Sequence, residues 1–152
     1  MQTLQGKVLK LYISTGNPTE PRKETEILHV DPKGIESDKF YAKDSNRSIL
    51  LSCAKSYKMA EEVGIALPEG KLGENIYIDI DPYSLTAGDR LTIGKIEFEV
   101  TQNCTLCKGL SQIDSKLPKL LKDDRGIFIK ALSSGTIHLN DPVCLNPVKD
   151  SS

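Results

Sequence analysis

The chain has 152 residues, of which 38% are hydrophobic and 27% charged, and its formal net charge is −1 at pH 7. This length predicts one domain around one core, and the apolar content is too high for a disordered chain. The charge argues against a nucleic-acid partner. No apolar run reaches membrane-spanning length, and the first ten residues lack a signal-peptide core. We therefore expect a cytoplasmic protein with no membrane partner and with reduced cysteines.

Alternation of apolar and polar residues is the main local pattern. Residues 75–80 (NIYIDI) and 95–100 (KIEFEV) alternate in this way, which predicts strands with one buried and one exposed face. Gly94-Lys95 fits a two-residue hairpin turn with glycine first. Further strands are predicted over residues 7–13, 26–30, 48–51, 126–132, 136–139 and, from a weaker pattern, 143–145.

Two segments have the pattern of helices. Ser52 is the predicted N-cap of a helix over residues 53–63, which ends at Gly64. A second helix is predicted over residues 111–121, where Pro118 either breaks the helix or starts its last turn. Many short strands with few helices indicate a closed or nearly closed β-barrel, mainly of antiparallel strands, with residues 147–152 as a frayed tail.

Two cysteines, Cys104 and Cys107, directly follow the predicted strand that ends near residue 103. A helix start after them, together with Lys108, would stabilise a thiolate. A structural zinc site would need two more ligands, from the remaining cysteines and histidines: Cys53, Cys144, His29 and His138. A thioredoxin-like switch would need a βαβ pattern, which is absent. The remaining alternative is two small, partly buried residues without a chemical role.

Several polar residues lie where predicted strands begin. Glu74 and Asn75 follow a glycine and precede a strand, a position from which they could face a ligand or merely form a tight turn. Arg47 and Arg125 each precede an apolar strand. Guanidinium groups there could clamp a phosphate in a bidentate manner, or they could form ion pairs on the surface.

Seven segments, taken in order, resemble one family, the MOSC domain, which is named from the C-terminal part of molybdenum cofactor sulfurases. The resemblance covers about residues 5–146 and rests on order and spacing rather than on any one motif. The segments are KGIESDKF, Arg47 with SILL, GKLGENIYI, Leu85 with TAGDRLTIG, EVTQNCTLCKGL, RGIFIKAL and NDPVCL.

The resemblance implies a β-barrel with one essential cysteine. Cys107 falls at the family's cysteine position, Gln102 matches the family's glutamine, and Cys104 stands where an arginine is usual. The resemblance also implies binding or sulfuration of the molybdenum cofactor, or transport of sulfur toward metal-sulfur clusters. Larger relatives use the cofactor to reduce N-hydroxylated compounds.

Our hypothesis is that Cys107 carries sulfur or ligates the metal, with Cys104 as its accessory. Arg47, Arg125 and Lys39 would meet the phosphate of a molybdopterin-type cofactor. The rest of the predicted cofactor-binding set is Asp38, Glu74, Asn75, Gln102 and Lys108. The chain has no room for a pyridoxal-phosphate desulfurase domain, so we expect a cysteine desulfurase or an electron donor as partner. The alternatives are a molybdenum-dependent reductase of N-hydroxylated compounds and a non-catalytic adaptor module.

Overall fold

The computed structural model of the chain describes residues 4–15, 22–39, 41–44, 48–67, 74–103, 114–121 and 125–146. Within these residues the chain forms eleven strands and two helices. The strands are β1 (Leu4–Ser14), β2 (Arg22–Thr25), β3 (Ile27–Asp31), β4 (Gly34–Ile35), β5 (Ile49–Cys53), β6 (Ile76–Ile78), β7 (Arg90–Ile93), β8 (Ile96–Asn103), β9 (Ile127–Ala131), β10 (Gly135–His138) and β11 (Pro142–Asn146), and the helices are α1 (Ala54–Glu62) and α2 (Leu117–Leu120).

Seven strands close into a barrel. They follow the order β11-β7-β8-β9-β5-β6-β1, and β1 pairs back onto β11, while β2 extends the sheet from β1. A second sheet has the order β10-β3-β4. Among the described strand pairs, β5 and β6 run parallel and the others are antiparallel. The predicted mainly β, largely antiparallel barrel is therefore confirmed.

Alternate residues of the strands fill the inside of the barrel. Leu51, Ile76, Leu91, Phe98 and Ile129 are completely buried in one large apolar cluster. A second, smaller cluster joins the two helices, and a third is formed by two outer residues of β5 and β9. Part of the outer face of the barrel is thus covered.

The packing of α1 on the outer face of the barrel explains two wrong predictions from the local sequence pattern. Tyr77 was predicted on an exposed face, but it is 5% exposed because its ring packs edge-to-face against Tyr57 of α1, with centroids 5.6 Å apart. Ser52 does not cap α1, since Cys53 occupies the N-cap position and has no side-chain capping bond. The hydroxyl of Ser52 donates instead to Glu74, at 2.8 Å.

Turn and helix boundaries follow the residue types more closely. Gly94 has φ +62° at the predicted turn, and β7 and β8 pair directly on either side of it. The second helix is shorter than predicted, and Pro118 lies in its first turn. The short strands β2 and β4 were not predicted, because β2 is polar throughout and β4 has only two residues.

None of the described helices is long and apolar enough to cross a membrane.

We predict that Gly126→Ala destabilises the fold more than Gly88→Ala. Both glycines have positive φ, +143° and +96°, a region that is strained for alanine, at a cost on the order of 1–3 kcal/mol at each position. Only at Gly126 would the new Cβ also lie 2.9 Å from Leu50 Cδ1 and 3.3 Å from the carbonyl oxygen of Leu51. Urea unfolding measures both variants. Equal losses of unfolding free energy would contradict this packing argument.

Candidate functional site

The segment with Cys104 and Cys107 directly follows Asn103, the last residue of β8. Asn103 of β8 lies opposite Ile127 of β9, which lies opposite Leu51 of β5. Asn103 is followed directly by Cys104, and Ile127 comes two residues after Arg125. The backbone register therefore places Arg125 near Asn103, the last residue of β8. Arg47, Cys104, Cys107 and Lys108 themselves lie outside the described residues.

Asn75 lies just before β6 and is hydrogen-bonded to two other strands, β5 and β1, and to Asp38. Its backbone N–H donates to the carbonyl of Leu50 at 2.8 Å, and its carbonyl accepts the N–H of Tyr12 at 2.8 Å. Its side-chain oxygen accepts the N–H of Leu50 at 2.9 Å. The side-chain nitrogen donates to the carbonyl of Tyr12 at 3.2 Å and to Asp38 Oδ1 at 3.1 Å. Both hydrogens and the oxygen of the amide are thus engaged within the protein.

Asp38 connects this amide to the loop after β4. The carboxylate is 6% exposed, and its Oδ1 also accepts the N–H of Ser14 at 2.5 Å. The next residue, Lys39, donates its backbone N–H to the carbonyl of Ser14 at 2.9 Å and is exposed. The structure therefore brings three of the predicted site residues together: Asp38, Lys39 and Asn75.

Glu74 is completely buried and turns toward α1. Its Oε2 accepts a hydrogen bond from Ser52 Oγ at 2.8 Å and a short one from the hydroxyl of Tyr57. Tyr57 also lines a cavity of about 760 Å³ beside α1. The sequence patterns missed both hydroxyl donors, because they placed Ser52 at a helix cap and assigned Tyr57 no polar contact. No local pattern indicated that Glu74 is buried or that these two hydroxyls meet it.

Arg125 is 7% exposed and therefore does not lie on the open surface. Its Nε donates to the carbonyl of Leu121 at 3.4 Å, and its Nη2 donates to the carbonyl of Pro118 at 3.2 Å. Pro118 lies in α2 and Leu121 directly follows it, and so short a helix leaves such carbonyl groups without helical partners. Arg125 thus holds α2 against the start of β9, and its phosphate-binding role stays a prediction. Gln102 is exposed on β8, opposite Phe128.

Cys53 differs from a reactive thiol in its surroundings. It is 2% exposed, and burial raises the pKa of its thiol to about 11. Its N–H donates to the hydroxyl of Tyr83 at 3.1 Å, and that hydroxyl also lies 2.6 Å from Ser56 Oγ. Burial likewise raises the pKa of Tyr83. Cys53 is therefore a protonated core residue at neutral pH. Among the described side chains, no group of three or more His, Cys, Asp or Glu is arranged to hold a metal ion.

The family model of the MOSC domain matches residues 29–144 of this sequence. The chain belongs to the MOSC domain family. The match spans β3 to β11 and includes the cysteine segment and the residues around Asp38 and Asn75. Among curated proteins, none matches the MOSC-domain chain in sequence.

Solved structures share the MOSC-domain fold at low sequence identity. The YUAD protein from Bacillus subtilis superposes with a TM-score of 0.84 at 16% identity, over 97% of this chain and 99% of that protein. YiiM from Geobacillus stearothermophilus gives 0.67 at 17% identity, over 92% and 74% of the two chains. YiiM from Escherichia coli gives 0.65 at 19% identity, over 98% and 73%. These similarities establish the fold of the barrel.

We predict that Asn75→Asp destabilises the protein by about 2 kcal/mol or more, since it removes donors to two buried acceptors. The new carboxylate would also face Asp38 at the present 3.1 Å contact. Two charged carboxylates repel there, and protonation relieves the repulsion, so the loss should be larger at pH 8 than at pH 5. Asn75→Ala is the control for the added charge, because it removes the same two donor bonds, and also the acceptor of the Leu50 N–H, without adding a carboxylate. Urea unfolding at both pH values decides; a pH-independent loss in Asn75→Asp would contradict the prediction.

We predict that Cys53 reacts with iodoacetamide much more slowly than Cys144, which is only partly buried. With a pKa of about 11, about one Cys53 thiol in a thousand is ionised at pH 8, and only the thiolate reacts. The raised pKa adds stability below pH 9.0, the ordinary value, and this is lost as the pH rises toward 11. Peptide mapping after timed labelling measures both sites. Equal labelling in the folded protein would show that Cys53 is accessible.

Proposed function

We propose that this MOSC-domain protein binds a molybdopterin-type cofactor and carries sulfur on Cys107, for sulfuration of the cofactor or assembly of metal-sulfur clusters. The observation that carries the proposal is the family match over residues 29–144. The matched range contains Cys107, which the sequence resemblance assigns to the family's cysteine position. A thiolate can hold a persulfide and can also ligate a soft metal. Cys104, three residues earlier in the chain, is the accessory thiol.

The available side chains fit the chemistry of such a cofactor. Lys39 offers an exposed cation for the phosphate, and Gln102 offers an exposed amide for the polar edge of the pterin. Cys107 would hold the metal or the sulfur. When bound, the group supplies a redox-active metal that accepts sulfur ligands. The buried members of the predicted set are hydrogen-bonded to protein groups and would support the structure of the site rather than contact the cofactor. They are Asp38, Asn75, Glu74 and Arg125.

Sulfur transfer needs only the two thiols and a persulfide donor. The Cys107 thiolate attacks the outer sulfur of the donor, the donor's S–S bond breaks, and the donor leaves as a thiolate. Cys107 then carries a persulfide. Attack of the Cys104 thiolate on the inner sulfur of that persulfide forms a disulfide between Cys104 and Cys107 and releases hydrosulfide. The donor has to be loaded by another protein, and a cysteine desulfurase has the required chemistry.

We predict that Cys107→Ser abolishes sulfur uptake, whereas Cys104→Ser keeps it and accumulates the persulfide, because the releasing thiol is gone. Glutathione persulfide serves as donor, and peptide mass spectrometry locates the added sulfur. Metal analysis of the purified protein accompanies the test. Full sulfur uptake by Cys107→Ser would show that Cys107 is not the sulfur carrier. Stoichiometric zinc would show that the cysteines bind zinc rather than carry sulfur. Molybdenum without sulfur uptake would favour the reductase of N-hydroxylated compounds.

A further inference from the structure

The most unusual buried group in the described part of the chain is the carboxylate of Glu74. It has no exposed surface, and two hydroxyls from different elements converge on its Oε2: Ser52 of β5 and Tyr57 of α1. A buried carboxylate is costly unless such donors compensate for lost water. An apolar side chain would fill the same space at a lower cost in free energy. The position therefore suggests a task beyond filling space.

Glu74 is connected to the exposed candidate site by a continuous series of contacts. It directly precedes Asn75, whose amide donates to Asp38 at 3.1 Å. Asp38 in turn directly precedes Lys39 and accepts the N–H of Ser14, while the Ser14 carbonyl accepts the N–H of Lys39. A shift of the Glu74 backbone would therefore displace Asn75 and, through Asp38, the backbone of Lys39.

We propose that Ser52 and Tyr57 are positioning residues of the candidate site, which act by fixing Glu74 and, through it, the Asn75–Asp38–Lys39 contacts. This inference rests on the proposed cofactor-binding function. It assigns a role to two side chains that contact no ligand themselves. It also makes α1 part of the support of the site, since Tyr57 is the contribution of that helix.

The test is the affinity for a fluorescent pterin monophosphate, followed by the change in its emission. The chain contains no tryptophan, so the protein contributes little competing fluorescence. Tyr57→Phe and Ser52→Ala should each raise the Kd about tenfold, the size expected when a hydrogen bond to a charged group is lost. Glu74→Gln should raise it as well. Adding Tyr57→Phe to Glu74→Gln should raise the Kd less than Tyr57→Phe does alone, because the uncharged amide oxygen accepts the tyrosine hydroxyl more weakly than the carboxylate does.

Tyr83→Phe is the matched control. It also removes a buried tyrosine hydroxyl, but that hydroxyl contacts Cys53 and Ser56 rather than Glu74. It should lower the unfolding free energy in urea while leaving the Kd unchanged. If Glu74→Gln fails to fold, the comparison of Tyr57→Phe and Ser52→Ala with Tyr83→Phe still decides.

Three negative results have different meanings. If the unmodified protein binds the pterin monophosphate and Tyr57→Phe and Ser52→Ala bind it equally well, the positioning role is overturned while cofactor binding stands. If the unmodified protein does not bind it, the cofactor branch of the proposed function is overturned, and the positioning role with it. A Kd that rises equally in Tyr83→Phe would show a general effect of lost stability and would also overturn the inference.

Discussion

The structure depends on the pairing of β1 with three other strands. Its first residues pair with β11, its middle residues with β6 and its last residues with β2. The pairing with β11 closes the barrel, so neither β1 nor β11 is left as an open edge along that stretch. The same strand delivers the backbone groups of Tyr12 and Ser14 to Asn75 and Asp38. Both the closure of the barrel and the assembly of the candidate site therefore depend on β1.

The sequence predicted the strands well where one face meets water and the other meets the core. It predicted the hairpin at Gly94 because glycine tolerates the positive φ that the turn requires. It was wrong about Tyr77 and Ser52, since both lie on an outer barrel face that α1 covers. Alternation reports which residues share a face of a strand. Whether a helix from elsewhere in the chain packs on that face is a tertiary fact that local pattern does not contain.

The candidate site shows a related limit of residue types. Aspartate, asparagine and arginine near strand ends can bind a ligand. They can equally well form hydrogen bonds that hold the backbone in place. Asn75 uses its whole amide to join β5, β1 and Asp38, and two nitrogens of Arg125 donate to carbonyl groups of α2. Burial separates the two roles, and it is set by the closed barrel. Of the members that the structure describes, Lys39 and Gln102 are exposed, so a ligand can reach them without rearrangement.

Two adjacent residues allow the helix and the site to be held by one segment. Glu74 reaches Ser52 of β5 and Tyr57 of α1, while Asn75, the next residue, reaches Asp38 and the backbone of β1. A single residue could not make both sets of contacts, and two residues separated by a flexible turn would not transmit a displacement. The order acid-then-amide before β6 therefore connects α1 to the loop of Lys39 through two consecutive residues.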